Sequence, residues 1–135
     1  MQPMINIDVP DLERACRFYA EALSLQVRRS LFDGTVVELA GAGLPIFLLE
    51  KPAGSIAAAA QPRNYARHWT PVHFDVAVDD LDAALARALA AGAVLEGDVD
   101  SAAWGRIARL ADPFGHGFCL IEFSDVGYAA AEDPR

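Results

Sequence analysis

Basic side chains are scarce in this chain. It has 11 Lys and Arg against 19 Asp and Glu, a formal net charge of −8. The imbalance lies in residues 71–135, which carry four basic and twelve acidic side chains, whereas residues 1–70 carry seven of each. Binding to nucleic acid or to an anionic membrane needs a basic surface that displaces counterions or contacts head groups. We therefore expect neither partner.

Long apolar runs, a secretion signal and a rich set of cysteines are also missing. No stretch approaches the roughly 20 apolar residues that span a bilayer, and the N-terminus has no basic segment followed by an apolar run. We therefore expect a cytoplasmic location. The two cysteines, Cys16 and Cys119, each lie within an apolar pattern. Reduced buried thiols are the commoner state in such a chain, so we expect no disulfide.

The chain does have enough apolar material for one domain. Its 135 residues are 53% hydrophobic, which supports one compact core but is too short to expect two independent domains. Within this length a strand and helix pattern occurs twice.

The first copy begins with a strand and a helix. In INIDV, residues 5–9, apolar and polar side chains alternate, which predicts a strand with one buried face. In residues 11–23 apolar side chains recur at helical spacing, and Asp11 is placed to cap the first turn. Cys16 belongs to this apolar stripe, so we predict that it lies in the core.

The second copy is HFDVAVDDLDAALARALAAG, residues 73–92. It has the same alternation followed by the same helical spacing, with Asp80 as the N-terminal cap and Gly92 as the stop. The closing strands IFLLE and FCLIE also match, and each follows a turn that contains Gly and Pro. The equivalent positions are Met4 and His73, Asn6 and Asp75, Phe47 and Cys119, and Glu50 and Glu122.

These matches divide the chain into two modules within a single domain. Module one covers residues 1–50 and module two covers residues 72–124. Residues 51–71 mix Pro, Gly, alanines and a basic aromatic cluster without a clear period, which indicates a linker. Residues 125–135 form a tail.

The chain has two βαβββ modules, the helix sequence DLERACRFYAEALSL and the closing segment DPFGHGFCLIEF. In these features it resembles the vicinal oxygen chelate superfamily, which includes glyoxalase I, bleomycin-resistance proteins and extradiol dioxygenases. The resemblance covers nearly the whole chain. It implies an α+β fold in which the modules form curled eight-strand sheets round a cleft, with the helices on the convex side. It also implies a homodimer as the expected assembly. Since this fold hosts many activities, it does not identify one.

In metal-dependent members of that superfamily, the first and last strands of each module supply His, Gln or Glu ligands. These positions correspond to Met4, Phe47, His73 and Cys119, of which only His73 matches. Because a divalent ion usually needs three or more N, O or thiolate ligands, we expect no metal and no cofactor. A one-residue shift of the last strand would put Glu122 on the face of Cys119, although the match of Glu122 to Glu50 argues against it.

Several side chains are candidates for a ligand cleft or for catalysis. Asp8 and Asp75 near His73 form a possible acid–base set, while Trp104 and Arg106 pair an aromatic ring with a cation that suits a planar or carboxylate ligand. Cys119 is either a ligand contact or a space-filling residue, as Phe47 is in its equivalent position. The candidate ligand-binding residues are Met4, Asn6, Phe47, His73, Trp104, Arg106 and Cys119. The candidate catalytic residues are His73, Asp75 and Asp8.

Other polar groups have structural interpretations. The cluster Arg63, Tyr65, Arg67, His68 and Trp69 is either a lid over the cleft or a dimer contact. DPFGH is typical of a turn, with His116 at the surface.

Two functions are consistent with these patterns. The first is a metal-independent binder of a small aromatic or cationic molecule, of the bleomycin-resistance type. The second is a lyase or isomerase of the glyoxalase type that uses His73 with Asp75 or Asp8 as acid and base, with or without a non-standard metal site. The pattern leaves open whether one chain or two chains form the cleft.

Overall fold

A computed structural model describes residues 1–134, which form two compact units, Met1–Ala66 and a second unit that begins at Arg67. Each unit contains one copy of the repeat. The segment predicted as a linker, residues 51–71, is therefore divided between them. In the described part of the chain, no helix is both long enough and apolar enough to cross a membrane.

Side-chain contacts hold residues 51–66 against the first unit. Arg63 Nε donates to Asp8 Oδ2 at 2.7 Å, and the Tyr65 hydroxyl donates to the carbonyl oxygen of Lys51 at 2.7 Å. The alanine run forms only a short 3-10 helix, Ala58–Ala60. This segment is thus structured as part of its unit.

The first unit is a four-stranded sheet with one helix. The elements are β1 (Ile5–Val9), α1 (Leu12–Ala22), β2 (Gln26–Leu31), β3 (Val36–Ala40) and β4 (Ile46–Glu50). The strands run in the order β1-β4-β3-β2, with β1 parallel to β4 and the other pairs antiparallel.

The second unit repeats this plan with a five-stranded sheet. The elements are β5 (Phe74–Ala77), α2 (Leu81–Ala91), β6 (Val94–Leu95), β7 (Asp100–Ala102), β8 (Gly105–Ala111) and β9 (Gly117–Phe123). The strand order is β5-β9-β8-β6, and β7 also pairs with β8. The predicted α+β class is confirmed, but the described residues contain nine strands rather than eight, because two short strands replace one after α2.

The registers confirm that the modules are equivalent. In the first unit Asn6 pairs with Phe47 across β1 and β4, and in the second unit Asp75 pairs with Cys119 across β5 and β9. The sequence match makes Asn6 equivalent to Asp75 and Phe47 equivalent to Cys119, so equivalent residues form equivalent pairs. The duplication therefore extends to the pairing of individual residues.

Both helices begin in the same way. An Asp side chain accepts a hydrogen bond from a backbone N–H of the first turn, as the predicted caps require. A Glu from the last strand of the same unit accepts from the first helical N–H. The four bonds are Arg14 N to Asp11, Leu12 N to Glu50, Ala83 N to Asp80 and Leu81 N to Glu122.

Each helix packs on one face of its own sheet. Apolar burial on that face supplies the main favourable free energy of folding. The fully buried side chains include Val9, Tyr19, Leu39 and Leu48 in the first unit and Leu81, Leu110, Phe118 and Leu120 in the second.

The prediction that Cys16 lies in the core is wrong. Cys16 is half-buried, whereas Phe18 and Tyr19 are buried at 3% and 0% exposure. The buried stripe of α1 therefore runs through residues 15, 18, 19 and 22, which leaves Cys16 at its margin. Partial burial still raises the pKa of its thiol.

Candidate functional site

The two faces of the second sheet differ in what covers them. Side chains alternate along a strand, so Phe118, Leu120 and Glu122 of β9 share the face that bears α2. Cys119 points to the opposite face. We call this opposite side the helix-free face.

Three side chains with metal-ligand or acid–base chemistry meet on the helix-free face. His73 directly precedes β5, and its Nε2 lies 3.4 Å from Asp75 Oδ1. Cys119 is the partner of Asp75 on β9. One donor atom from each residue lies within 4.8 Å of the other two. We call this set the His73–Asp75–Cys119 group.

The members of the group differ in exposure. The side chains of His73 and Asp75 are 34% and 38% exposed, whereas Cys119 is 2% exposed. A molecule in solution can therefore contact the imidazole and the carboxylate, while the thiol lies beneath them.

Burial and charge keep the thiol protonated. Burial raises the pKa of Cys119 to about 12, and the negative charge of Asp75 and its hydrogen bond act in the same direction. The Arg109 guanidinium opposes this rise but is itself bound to Asp100 Oδ2 at 2.6 Å. Because the thiolate is the nucleophile, a raised pKa does not suit Cys119 to nucleophilic catalysis at neutral pH in the metal-free protein.

An aromatic side chain lies beside the group. A Cβ at Gly117 would come within 2.4 Å of Trp69, so the indole occupies the space that any other residue there would fill. The indole centroid is 5.0 Å from that of the His73 ring. Arg67 lies over the indole at 5.2 Å and is held by Glu96 at 2.7 and 2.5 Å. Trp69 therefore forms a positioned aromatic wall next to His73.

The sequence pattern did not single out all of these residues. The sequence places Trp69 in the basic aromatic cluster of the predicted linker, and the structure divides the members of this cluster between the two units. Arg63 and Tyr65 contact the first unit, whereas Arg67 and Trp69 contact the second. The sequence offered one signal for this contact. A glycine within a strand, here Gly117, permits the close approach of another group, and Trp69 makes that approach.

Two predicted ligand contacts lie away from the group. Arg106 shares the helix-bearing face with Glu122 and donates to it at 3.2 Å, and it also donates to Asp82 at 3.1 Å. Trp104 lies in the turn before β8, where its ring is 5.6 Å from that of Tyr128. The structure therefore does not bring Trp104 or Arg106 together with His73.

Glu122 does not replace Cys119. Its carboxylate accepts from Leu81 N at 2.7 Å and from Arg106, both on the helix-bearing face. No register shift turns it toward the helix-free face, because β9 pairs regularly with β8 from Gly117 to Phe123.

The candidates of the first unit occupy the equivalent helix-free face of the first sheet. Asn6, Asp8 and Phe47 alternate with the buried residues that contact α1. The Asp8 carboxylate is bound to Arg63. Met4 precedes β1 and is 58% exposed.

The turn before β9 is also as predicted. Asp112 Oδ1 accepts from the backbone N–H groups of Phe114 and His116 at 2.8 Å each. His116 Nδ1 lies 2.7 Å from Asp112 Oδ2, and its side chain is 31% exposed. This histidine therefore stabilises the turn.

Each unit is a mixed sheet with one helix on one face and titratable side chains on the other. This arrangement defines a paired-module α+β protein. The chain belongs to the glyoxalase-like domain family, whose model matches residues 4–121. This places it in the vicinal oxygen chelate superfamily, as the resemblance indicated. No curated protein matches the chain.

Solved structures share the fold. The fosfomycin resistance protein FosX from Listeria monocytogenes has a TM-score of 0.74 at 19% identity, covering 98% of each chain. The antibiotic-binding protein TnmS3 from Streptomyces sp. CB03234 has a TM-score of 0.65 at 24% identity, covering 92% of this chain and 96% of that one. A glyoxalase-related enzyme from Fulvimarina pelagi has a TM-score of 0.69 at 18% identity, covering 90% and 87%.

The superfamily's usual metal set does not fit this chain. Phe47 offers no donor atom and Met4 offers only a thioether, which is a poor ligand for hard divalent ions. The sequence led us to expect only an imidazole and a thiol at these positions. The structure adds Asp75, so the second unit by itself supplies three donors of different chemistry.

Proposed function

We propose that the protein binds a small aromatic or cationic molecule on the helix-free face of the second sheet and needs no metal to do so. The observation that carries this proposal is the adjacency of Trp69, His73 and Asp75. An aromatic face attracts a cation or stacks on a ring, and a neighbouring carboxylate pairs with a positive charge. The net charge of −8 favours the approach of a cation.

Two further points support a binder. The residues at the usual ligand positions of the first unit, Met4 and Phe47, do not suit a hard divalent ion. A protein of this fold, TnmS3, is an antibiotic-binding protein. We also propose that the protein is cytoplasmic and that it forms a homodimer. Sedimentation analysis of the purified chain tests the homodimer.

A binding measurement in chelator tests the main proposal. Protein dialysed against EDTA is titrated with bleomycin and with a panel of cationic aromatic compounds, while tryptophan fluorescence is followed. A W104F background leaves Trp69 as the only tryptophan. We expect saturable quenching by a cationic compound and little by an anionic compound of similar size, such as a naphthalene sulfonate.

Variants locate the binding site. Binding to the variants is measured by calorimetry, because W69A removes the fluorescent side chain. W69A and D75N are each expected to weaken binding about tenfold, which corresponds to about 1.4 kcal/mol and lies within the usual range for cation–π and charged contacts. R106A, on the opposite face, is the control and should bind as the wild type does. Tight binding that W69A and D75N leave unchanged would refute this location.

The alternative is an enzyme, favoured by the 3.4 Å approach of His73 Nε2 to Asp75 Oδ1. A carboxylate that orients an imidazole supports proton transfer of the kind that a lyase or isomerase needs. Asp75 suits this role better than Asp8, which is bound to Arg63. One FosX structure contains Mn(II) and sulfate, so metal-bound members share this fold.

Solvent-proton exchange separates the two functions. An enzyme of this type should catalyse deuterium incorporation next to the carbonyl of an α-hydroxycarbonyl compound in deuterated water, as followed by NMR. H73A should abolish that exchange yet retain ligand binding. No exchange above background across a panel of such compounds favours the binder.

A further inference from the structure

The His73–Asp75–Cys119 group combines an imidazole nitrogen, a carboxylate oxygen and a sulfur atom. We propose that this group binds one thiophilic divalent cation, Zn²⁺ or its analogues Co²⁺ and Cd²⁺, with ligands from the second unit alone. This donor set differs from the superfamily's usual one, which draws on both modules and on no residue equivalent to Asp75.

The donor atoms are close to the spacing of a tetrahedral site. Zn–N and Zn–O bonds of about 2.0–2.2 Å and a Zn–S bond of about 2.3 Å place ligand atoms roughly 3.5 Å apart. His73 Nε2 and Asp75 Oδ1, at 3.4 Å, already have that separation. The widest separation in the group is within 4.8 Å, so closure needs a movement of roughly 1 Å. Rotation of the half-exposed His73 and Asp75 side chains supplies it.

The charges around the group match a divalent ion. Metal binding takes the thiol to the thiolate, so Cys119, Asp75 and Asp100 carry three negative charges against the single positive charge of Arg109. The balance is two negative charges, which a divalent cation neutralises. Arg109 is directed to Asp100 at 2.6 Å, which ties its guanidinium to another partner.

The ligand types select the metal. A thiolate with an imidazole favours Zn²⁺ and similar ions over Mg²⁺ or Ca²⁺, which prefer oxygen ligands. Three protein ligands leave a coordination position for water or a ligand, and the exposure of His73 and Asp75 gives access to it. The equivalent residues of the first unit, Met4, Asn6 and Phe47, do not form such a set. The expected stoichiometry is therefore one ion per chain.

Spectroscopy tests the site directly. Metal-free protein is titrated with Co²⁺ and Cd²⁺ while thiolate-to-metal charge-transfer absorption is recorded, and Zn²⁺ affinity is measured by calorimetry. We expect one equivalent to saturate the band. In C119S the band should vanish and the Zn²⁺ affinity should fall at least tenfold. No band in the wild type, or an equal band in C119S, would overturn the proposal.

Matched variants assign the charge-transfer band to one thiol and the affinity to one carboxylate. C16S removes the other thiol, on α1 of the first unit, and should keep the band. D75N preserves size at a half-exposed position and should lower the Zn²⁺ affinity about tenfold with an unchanged melting temperature. Loss of the band in C16S rather than in C119S, or unchanged affinity in D75N, would overturn the proposal.

The metal site shares residues with the proposed ligand site but does not depend on it. Ligand binding is measured in chelator and metal binding without an organic ligand, so each can fail alone. If both are correct, Zn²⁺ should compete with a cationic ligand, because both bind Asp75.

Discussion

The two units have the same strand order, but equivalent positions on their helix-free faces carry opposite charges. In the first unit the carboxylate of Glu38 is 2% exposed and binds the guanidinium groups of Arg28 and Arg29. In the second unit the equivalent position is Arg109, which binds the exposed carboxylate of Asp100. One unit surrounds an anion with cations, and the other pairs a cation with an anion.

Because of this difference, the candidate ligand and acid–base groups lie together only in the second unit. The partner of Glu38 on β4 is Phe47, whereas the partner of Arg109 on β9 is Cys119, next to Asp75. On the helix-free face of the first unit, these positions therefore carry an ion-pair cluster and an aromatic ring. The second unit leaves an imidazole and a carboxylate accessible above a thiol. Equivalent backbones therefore do not imply equivalent sites.

Substitution of two equivalent glycines should give the largest difference in stability between the units. Gly34 and Gly105 both have positive φ, 83° and 145°, but a Cβ at Gly105 would lie 2.1 Å from the carbonyl oxygen of Glu122, whereas a Cβ at Gly34 meets nothing within 4 Å. G105A should lower the free energy of unfolding by about 3 kcal/mol or more, through backbone strain plus overpacking. G34A should cost about 1 kcal/mol. Urea denaturation measures both, and equal losses would contradict the comparison.

The two ion-pair clusters should differ in their contribution to stability. E38Q removes a buried charge that holds two arginines, and we expect a loss of about 2 kcal/mol in the free energy of unfolding. D100N, at a side chain that is 61% exposed, should change it by less than about 0.5 kcal/mol. Thermal unfolding at low and high salt checks this difference. A D100N loss as large as that of E38Q would be evidence against it.

The two cysteines should differ in their rate of alkylation. Cys119 is deeply buried and its pKa is raised to about 12, so its thiolate is scarce at pH 8, and its reactivity should increase as the pH rises toward 12. We expect iodoacetamide to label Cys16 faster, because Cys16 is half-buried whereas Cys119 is 2% exposed. Mass spectrometry of digested protein measures both rates. D75N should speed the labelling of Cys119 by removing a negative charge.

The two helix caps should contribute equally to the stability of their units. Asp11 and Asp80 make the same 3.0 Å bond to the third residue of their helices. D11A and D80A should each cost about 1 kcal/mol in the free energy of unfolding, and the two losses should agree within about 0.5 kcal/mol. Denaturant titration of both variants checks this. A large difference would mean that the two helices contribute unequally to their units.

Much of the fold could be predicted because local patterns encode it. Alternation in residues 5–9, helical spacing after Asp11 and Asp80, and the stop at Gly92 gave elements that the structure confirms. The errors were also local in origin. Helical spacing alone does not say whether Cys16 or Phe18 faces the sheet, and the two short strands β6 and β7 have too few residues to show a period.

The site was only partly predictable. Alternation along the strand placed His73 and Asp75 on one face, and the resemblance implied that His73 and Cys119 point into the same cleft. The sequence did not identify Arg109 and Asp100 as partners, since they come together only through the pairing of β7 with β8. It also did not show that Arg63 and Trp69 belong to different units.

The amino-acid pattern by itself determined the duplication, the helix caps and the placement of His73 and Asp75 on one strand face, because periods of 2 and 3.6 residues are local properties of the backbone. Only the tertiary structure decided that His73 reaches Asp75, that Trp69 covers Gly117, and that Arg106 points away from them. These contacts depend on strand order, on register and on the chain segment that precedes β5. None of these is encoded by the period of any single element.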